Sequence, residues 1–270
     1  MKILLWIDTE KNQKALVNKL HSVFPVAGII LEARKPIRKI TIGKIIEKVI
    51  EKCFLGAVAG SWIGLNKGYQ QKYPSYPSVP TITVENINSD EAYEFSKQIN
   101  PDLILVSGTR LVKKKLLSLN PSLGILNLHT GLSPYIKGGP NCTNWCIATK
   151  QFHLIGNTVM WIDAGIDTGN IFSTGFTEFT GNENLHEVHY KVMEHAHDLY
   201  IKSVIALSRG KRSNVAQDTI AKGITYYTKD FRLWQKINLV RNMKKFRQAV
   251  SSGQVKKMQQ DIITVETGTE

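Results

Sequence analysis

Short apolar runs alternate along this chain with stretches in which apolar residues recur every three or four positions. Four continuous apolar runs in the first half are typical of buried strands and cover residues 2–7, 26–31, 79–84 and 103–106. Helical patterns lie between them, over residues 11–23 and over a segment that Ser89 caps and that ends near Asn100. Strands that alternate with helices predict an α/β fold with a Rossmann-like, mostly parallel sheet flanked by helices.

The second half continues this alternation. Apolar runs over residues 125–128 and 156–161 predict two more strands, and an amphipathic pattern over residues 185–207 predicts a long helix. Residues 224–231 indicate a strand or hairpin, and residues 236–270 indicate one more helix with a frayed tail. A conventional dinucleotide site is not supported, because no Gly-x-Gly-x-x-Gly follows the first strand.

The length of 270 residues is enough to bury a full core. We expect one main domain over residues 1–208. A short C-terminal extension, made of a strand or hairpin plus a helix, is expected over residues 209–270.

Candidate chemistry lies where two of the predicted strands end. Asn127 and His129 are two positions apart, so in an extended chain their side chains point to the same face. A loop after the next strand carries Asp163 and Asp167, and its glycines allow tight or left-handed turns. Ligands of open α/β sheets bind outside the carboxyl ends of the strands, so the two loops predict one shared pocket.

The amide, imidazole and carboxylate of this pocket suit the transfer of an acyl group to an amine. The Asn127 amide can donate to the oxyanion that forms when an amine attacks a formyl carbon. His129 can stabilise that oxyanion or move protons, because the unperturbed imidazole pKa is about 6.5. Asp167 can orient the imidazole, or take the amine proton directly or through water.

These residues resemble the pattern of the folate-dependent formyltransferase family, which is Asn-x-His, a Ser/Leu/Pro loop and a later Asp-x-Gly segment. The family includes N-formyltransferases that act on glycinamide ribonucleotide, on methionyl-tRNA and on nucleotide-linked amino sugars. The resemblance implies that Asn127, His129 and Asp167 are catalytic and that 10-formyltetrahydrofolate is the formyl donor. From the resemblance we therefore expect this chain to be an N-formyltransferase.

The resemblance also implies which residues bind the two substrates. The walls around the pterin of the folate would be Thr109, Arg110, Leu111, Asp163, Ala164, Gly165 and Ile166. The residues next to the acceptor would be Gly131, Pro134, Lys137 and Gly138. In this loop Gly131 stands where the family usually has Ser, and Lys137 stands where Arg is usual.

The expected acceptor is a nucleotide-linked amino-deoxy sugar of surface-polysaccharide biosynthesis, a class that includes precursors related to pseudaminic acid. The small side chains of the loop leave room for a sugar ring, and Lys137 could meet a diphosphate. The tRNA enzymes of the family carry a further β-barrel domain, for which residues 209–270 leave little room. The alternatives are a methionyl-tRNA formyltransferase, a formyltetrahydrofolate hydrolase with water as acceptor, and a non-catalytic module that binds RNA or a membrane.

The net charge of +13 favours anionic partners such as a nucleotide diphosphate or a polyglutamylated folate. Lysine and arginine are concentrated in residues 34–52, where isoleucines are interleaved. This segment could be a helix that packs its isoleucine face on the core, a membrane-surface helix or a phosphate-binding segment.

No metal is expected. The three cysteines and the histidines of the long predicted helix lack the spacing of a ligand set; they are Cys53, Cys142, Cys146, His186, His189, His195 and His197. Free buried thiols are the better interpretation of the cysteines.

The N-terminal apolar run is too short for a signal peptide, and no later run is long enough to span a bilayer. We therefore expect a cytoplasmic protein. We also expect no nucleic-acid partner, and we leave a homodimer open.

Overall fold

The computed structural model describes residues 1–34, 49, 55–139, 141–163, 165 and 167–267. Most of the basic segment 34–52, together with Cys53, Ala164 and Ile166, lies outside these residues. The strands are β1 (Ile3–Asp8), β2 (Val26–Glu32), β3 (Thr81–Val84), β4 (Leu103–Ser107), β5 (Ile125–His129), β6 (Ile136–Gly138), β7 (Gly156–Trp161), β8 (Ile171–Phe176) and β9 (Ile224–Tyr226). The α-helices are α1 (Lys11–His21), α2 (Gly56–Lys72), α3 (Asp90–Ile99), α4 (Lys114–Leu117), α5 (Cys142–Ala148), α6 (Leu185–Ser208), α7 (Leu233–Ser251) and α8 (Gln254–Gln259).

The central sheet has the strand order β3-β2-β1-β4-β5-β7-β8. Strands β1 to β5 pair in parallel, and β7 and β8 are added antiparallel at one edge. The α/β fold with a mostly parallel sheet is therefore confirmed. Because the strand order reverses at β1, the carboxyl ends of β1, β4 and β5 meet at the switch point where α/β sheets bind ligands.

Alternate residues of β1 face opposite sides of the sheet, as the period of two in a strand requires. Ile3, Leu5 and Ile7 pack in one cluster with leucines of α1 and with Tyr200 of α6. Leu4 and Trp6 pack in a second cluster with residues of the other face, and all of these β1 side chains are fully buried. A sheet covered on both faces explains why its inner strands are continuous apolar runs.

The structure differs from the sequence predictions in the C-terminal part. Of the strand or hairpin expected over residues 224–231, the structure has the strand, β9, but its partner is β6, with which it pairs in parallel. The helix predicted over residues 236–270 is two helices, because Gly253 adopts a left-handed φ of 74° between them. Strands β6 and β8 were not predicted, since three residues leave no periodicity and β8 mixes polar and apolar residues.

Within the described residues, no helix is long and apolar enough to cross a membrane. Cys142 and Cys146 are buried free thiols, in agreement with the sequence interpretation.

Candidate active site

The candidate site lies at the carboxyl ends of β4 and β5. Register pairs Val106 of β4 with Asn127 of β5, and Asn127 with Met160 of β7, so the amide sits in the middle of the sheet edge. Tyr200 of α6 holds the backbones of β4 and β5 next to Asn127. Its hydroxyl accepts from the Val106 N–H at 2.9 Å and donates to the Leu126 carbonyl at 2.7 Å. Asn127 therefore projects from a firmly held backbone.

The structure brings the three predicted catalytic side chains together. His129 Nδ1 lies 3.5 Å from Asp167 Oδ2, and these side chains are only 10% and 16% exposed. Asp167 Oδ2 also accepts from the Gly138 backbone N–H at 3.2 Å. The carboxylate is thus placed to orient the imidazole, and the loop that follows β5 is tied to the loop that follows β7.

The turn after His129 is shaped by Thr158 and by Gly131. The buried Thr158 hydroxyl donates to the Gly131 carbonyl at 2.7 Å and accepts from the Ser133 N–H at 2.9 Å. A Cβ at Gly131 would collide with His129 Nε2 and with the Cys142 sulfur. Any larger residue would therefore displace the imidazole or the thiol from their positions in this chain, where His129 Nε2 lies 3.6 Å from Cys142 Sγ.

Gln217 holds the loop that carries Asp167 and was not found by sequence reasoning. Asp167 has a left-handed φ of 51°, which is uncommon for a residue other than glycine. The buried Gln217 side chain donates to the carbonyls of Asp167 and Gly169, at 2.8 Å in each case. Since Gln217 lies in the C-terminal extension, the extension takes part in building the site.

A cavity of about 280 Å³, here called the loop-side cavity, opens on one side of Asn127. It lies between the segment after β4 and the segment after β7, and its lining includes Val106, Thr109, Arg110, Leu111, Val112, Asn127, Met160, Ile162, Asp163, Gly165 and Asp167. The five predicted pterin-wall residues that the structure describes all line this cavity; they are Thr109, Arg110, Leu111, Asp163 and Gly165. Ala164 and Ile166 lie outside the described residues.

The polar side chains of Asp163 and Arg110 in the loop-side cavity are already bonded within the protein. Asp163 accepts from the Gly165 N–H at 2.9 Å and from the Thr168 hydroxyl at 2.7 Å. Arg110 is held by Glu32, whose carboxylate lies 3.0 Å from the guanidinium and also accepts from the Arg110 N–H at 2.8 Å. The residues of this wall therefore offer backbone groups and apolar surface to a ligand.

Glu32 at the end of β2 is fully buried and anchors this wall. Burial acts to raise the pKa of its carboxyl, but hydrogen bonds from the Ile87 and Arg110 N–H groups and the nearby Arg34 guanidinium outweigh it and lower the pKa. Glu32 is therefore an ionised structural residue. Sequence reasoning missed it because it follows an apolar run without any motif.

A second cavity of about 430 Å³, here called the helix-side cavity, is lined by Asn127, His129 and Asp167. Its lining includes Asp8, Glu10, Asn12, Gln13, Arg34, Trp62, Thr109, Asn127, His129, Gly138, Asn141, Cys142, Asp167, Met193 and His197. Thr109, Asn127 and Asp167 line both cavities. The two spaces therefore meet at these three residues, two of which are predicted to be catalytic.

The four predicted acceptor residues are divided by the structure. Gly138 lines the helix-side cavity, and Gly131 lies against His129. Pro134 and Lys137 instead line a separate hollow beside Gln217. The predicted contact of Lys137 with a diphosphate is therefore not in the cavity that contains His129.

Sequence reasoning missed the part of the helix-side cavity made by β1, α1 and α2. Asp8 lies at the end of β1, and Asn12 and Gln13 follow in α1. The available signal was a polar run directly after the first strand, at the edge where ligands bind. Trp62 lies in α2, a helix that the sequence left unassigned because glycines interrupt its pattern.

No group of three or more metal-ligating side chains was found among the described residues. Two histidines of α6 are buried: burial lowers the pKa of His189 to about 4 and that of His197 to about 3. Both are neutral at pH 7.

The formyl transferase family model matches residues 62–204, just over half of the chain. Among curated relatives, the methionyl-tRNA formyltransferase of Clostridium tetani is 34% identical over 118 residues. This match covers 43% of the chain and 37% of the relative. The chain thus matches well under half of the length of this curated relative.

Solved structures share the fold at low sequence identity. A sugar N-formyltransferase from a Shewanella species is 17% identical, with a TM-score of 0.56 over 90% of this chain and 88% of that chain. An N-formyltransferase from Helicobacter canadensis, solved with folinic acid and dTDP-3-aminofucose, is 16% identical, with a TM-score of 0.55 over 90% and 81%. The phosphoribosylglycinamide formyltransferase of Streptococcus pneumoniae is 16% identical, with a TM-score of 0.52 over 77% and 99%.

The family model spans β4 to β8 and most of α6, the region that holds Asn127, His129 and Asp167. The family resemblance inferred from the motif is therefore confirmed, and this chain belongs to the formyl transferase family.

Proposed function

We propose that this protein transfers a formyl group from 10-formyltetrahydrofolate to the amine of a nucleotide-linked amino-deoxy sugar. The observation that carries the proposal is the junction of two cavities at Asn127 and Asp167. A transferase that moves a group directly between two substrates needs a donor space and an acceptor space that meet at the reacting atoms.

The loop-side cavity suits the folate. Val106, Val112 and Met160 supply apolar surface for a flat ring, while the self-bonded Asp163 and Arg110 leave backbone groups free to pair with its edge. When bound there, the folate supplies an activated formyl group. Residues 109–112 and 161–169 would hold it.

The catalytic side chains act at the junction. The Asn127 amide donates a hydrogen bond to the oxygen that gains negative charge as the amine attacks. His129 stabilises the same charge or relays a proton. Asp167, 3.5 Å from His129 Nδ1, orients the imidazole and accepts the proton that the amine must lose. The amine is itself the nucleophile, so no serine or cysteine nucleophile is required.

The helix-side cavity suits the acceptor. Its position on the far side of Asn127 and its exposure of His129 allow an amine to reach the formyl carbon. The sugar N-formyltransferases that share the fold support an amino sugar, and one of them was solved with a nucleotide-linked amino sugar. We include in the proposal that the formylated sugar is used in surface-polysaccharide biosynthesis.

Methionyl-tRNA is the second candidate acceptor, because the curated relatives by sequence are named methionyl-tRNA formyltransferases. One experiment separates the candidates. The purified enzyme is incubated with 10-formyltetrahydrofolate and one acceptor in each of several parallel reactions. The acceptors are dTDP- and UDP-linked amino sugars, glycinamide ribonucleotide and methionyl-tRNA. We expect mass spectrometry to detect the addition of CO to an amino sugar with the highest kcat/KM. A higher kcat/KM for methionyl-tRNA would contradict the proposal, and formate release without any amine would point to a hydrolase.

A further inference from the structure

The helix-side cavity contains buried polar atoms that have no partner among the described residues. Asn12 and Gln13 are 5% and 6% exposed, and Asn12 Oδ1 and Gln13 Oε1 accept no hydrogen bond. His197 is 1% exposed, and its Nδ1 is likewise without a partner. Buried polar atoms that stay unpaired destabilise a fold, and all three residues line this cavity, so they indicate a place where a ligand can supply hydrogen bonds.

The described residues that line this cavity carry a charge opposite to that of the chain. The chain carries a net charge of +13, but Asp8, Glu10 and Asp167 line the cavity. Arg34 is the one Lys or Arg among its described lining residues, and its guanidinium is bonded to Glu32 at 3.0 Å and to the Gly108 carbonyl. A phosphate next to these acidic side chains would therefore be repelled, whereas a hydroxyl or a protonated amine would be attracted.

Trp62 adds a flat apolar wall. The half-buried indole packs against a small cluster formed by α1, α2 and α6, and it meets the edge of the His189 ring with 5.9 Å between centroids. Aromatic walls with a few placed polar groups are typical of small-ligand sites. A sugar ring has both C–H faces and hydroxyl edges, so it matches an indole wall next to hydrogen-bond acceptors.

We propose that Asp8, Asn12, Gln13 and Trp62 form the subsite that selects the acceptor, by binding the uncharged, hydroxyl-bearing ring of the amino sugar and leaving its phosphates outside the cavity. Asp8 and the two amide carbonyls accept hydrogen bonds from ring hydroxyls, and Trp62 packs on the C–H face of the ring. This inference rests on the proposed function, because it names the part of the acceptor that enters the cavity.

The environment of Asp8 supports a role in binding. Burial, with Glu10 and Glu32 nearby, raises the pKa of its carboxyl to about 6, against the lowering effects of the Glu10 N–H bond and of Arg34. A carboxylate that is buried with so little compensation does not stabilise the fold at neutral pH. Strongly perturbed acids in cavities are often functional.

The test measures binding and turnover with one probe. The probe is the tightest-binding member of a panel of dTDP- and UDP-linked 3-amino and 4-amino sugars that includes dTDP-3-aminofucose. In Asp8→Asn and Trp62→Ala we expect its dissociation constant and KM to rise about tenfold or more, and kcat to change less than threefold. Trp62→Phe should recover most of the binding, while the dissociation constants of folinic acid and of dTDP alone should not change.

Two variants provide matched controls. Asp198→Asn removes an exposed carboxylate of α6, and Trp234→Ala removes an indole that is 59% exposed on α7; both should behave as wild type. Equal sugar binding by the wild type, Asp8→Asn and Trp62→Ala would overturn the subsite, as would weaker dTDP binding in those variants or the absence of binding across the panel.

Failure of the subsite can be told apart from failure of the proposed function. If all variants formylate the sugar with unchanged KM, the function stands and the subsite is wrong. If the sugar binds in a way that depends on Asp8 and Trp62 but gains no formyl group, the subsite stands and the function is wrong.

Discussion

The two cavities that meet at Asn127 differ in how their polar groups are satisfied. In the loop-side cavity, Asp163 and Arg110 are bonded within the protein, so the wall is fixed before a ligand arrives. In the helix-side cavity, Asn12 and Gln13 have buried oxygen atoms without partners among the described residues. A satisfied wall binds by shape and backbone groups, whereas an unsatisfied wall gains most from a ligand that supplies the missing donors. We thus expect the folate, the formyl donor, to be held by shape, and the amino sugar, the formyl acceptor, to be selected by hydrogen bonds.

The same contrast exists between two neighbouring carboxylates. Asp8 and Glu32 are paired across β1 and β2. Asp8 lines the helix-side cavity, and Glu32 holds Arg110 of the loop-side cavity. Burial raises the pKa of Asp8, while hydrogen bonds and Arg34 lower that of Glu32 despite its burial. One acid is therefore a destabilising binding group and the other a stabilising anchor.

The largest effect is expected at the junction of the cavities. Asn127→Ala, His129→Ala and Asp167→Ala should each lower kcat by about a hundredfold or more, because each removes a group that acts on the developing charge. The dissociation constants of folinic acid and of the amino sugar should change little, which calorimetry can measure. Near wild-type turnover in the His129 and Asp167 variants would show that these residues, although they lie where the cavities meet, take no part in the reaction.

The carboxylate pair predicts opposite changes in the free energy of unfolding. The raised pKa of Asp8 means that its stabilising contribution is complete below about pH 4 and is lost as pH rises to about 6, so at pH 7 it costs on the order of 3 kcal/mol. Asp8→Asn should therefore raise the unfolding free energy at pH 7 and have little effect at pH 4. Urea unfolding at the two pH values measures this, with Asp198→Asn as control.

Glu32 should behave in the reverse way. Its lowered pKa gives stability that is present above the ordinary glutamate pKa and is lost as pH falls through its own, lower pKa. Glu32→Gln should lower the unfolding free energy at pH 7 by about 1 to 3 kcal/mol, since four donors lose their charged acceptor. A stability equal to that of the wild type at pH 7 would mean that Glu32 does not anchor the wall.

A smaller effect is expected for Gln217. Gln217→Ala removes both donors that hold the loop of Asp167, so kcat should fall about tenfold while the fold is retained. Gln248→Ala, an exposed position of α7, is the control. An unchanged kcat would show that the loop keeps its conformation without the extension.

The smallest effect is expected from chelation. The described residues contain no metal-ligating cluster, so EDTA should leave formyl transfer unchanged. Loss of activity that zinc restores would show that the histidines of α6 or the two buried cysteines bind a metal.

The grouping of the junction residues could be predicted from sequence because Asn127 and His129 are close in the chain and carry a specific spacing. The loop-side wall followed by resemblance, as its residues lie directly after strands. The helix-side wall could not be predicted, since Asp8, Gln13 and Trp62 come from three elements that only the fold brings together. Gln217 was missed for the same reason: an amide that holds a loop 50 positions away leaves no local pattern.

The most direct test of the two-cavity account is a calorimetric titration of the amino sugar into enzyme that is already saturated with folinic acid. The account predicts that the sugar binds with a dissociation constant within about threefold of its value for the free enzyme, because the two ligands occupy different cavities. Loss of sugar binding in the saturated enzyme would mean that both ligands compete for one cavity, and it would contradict the account.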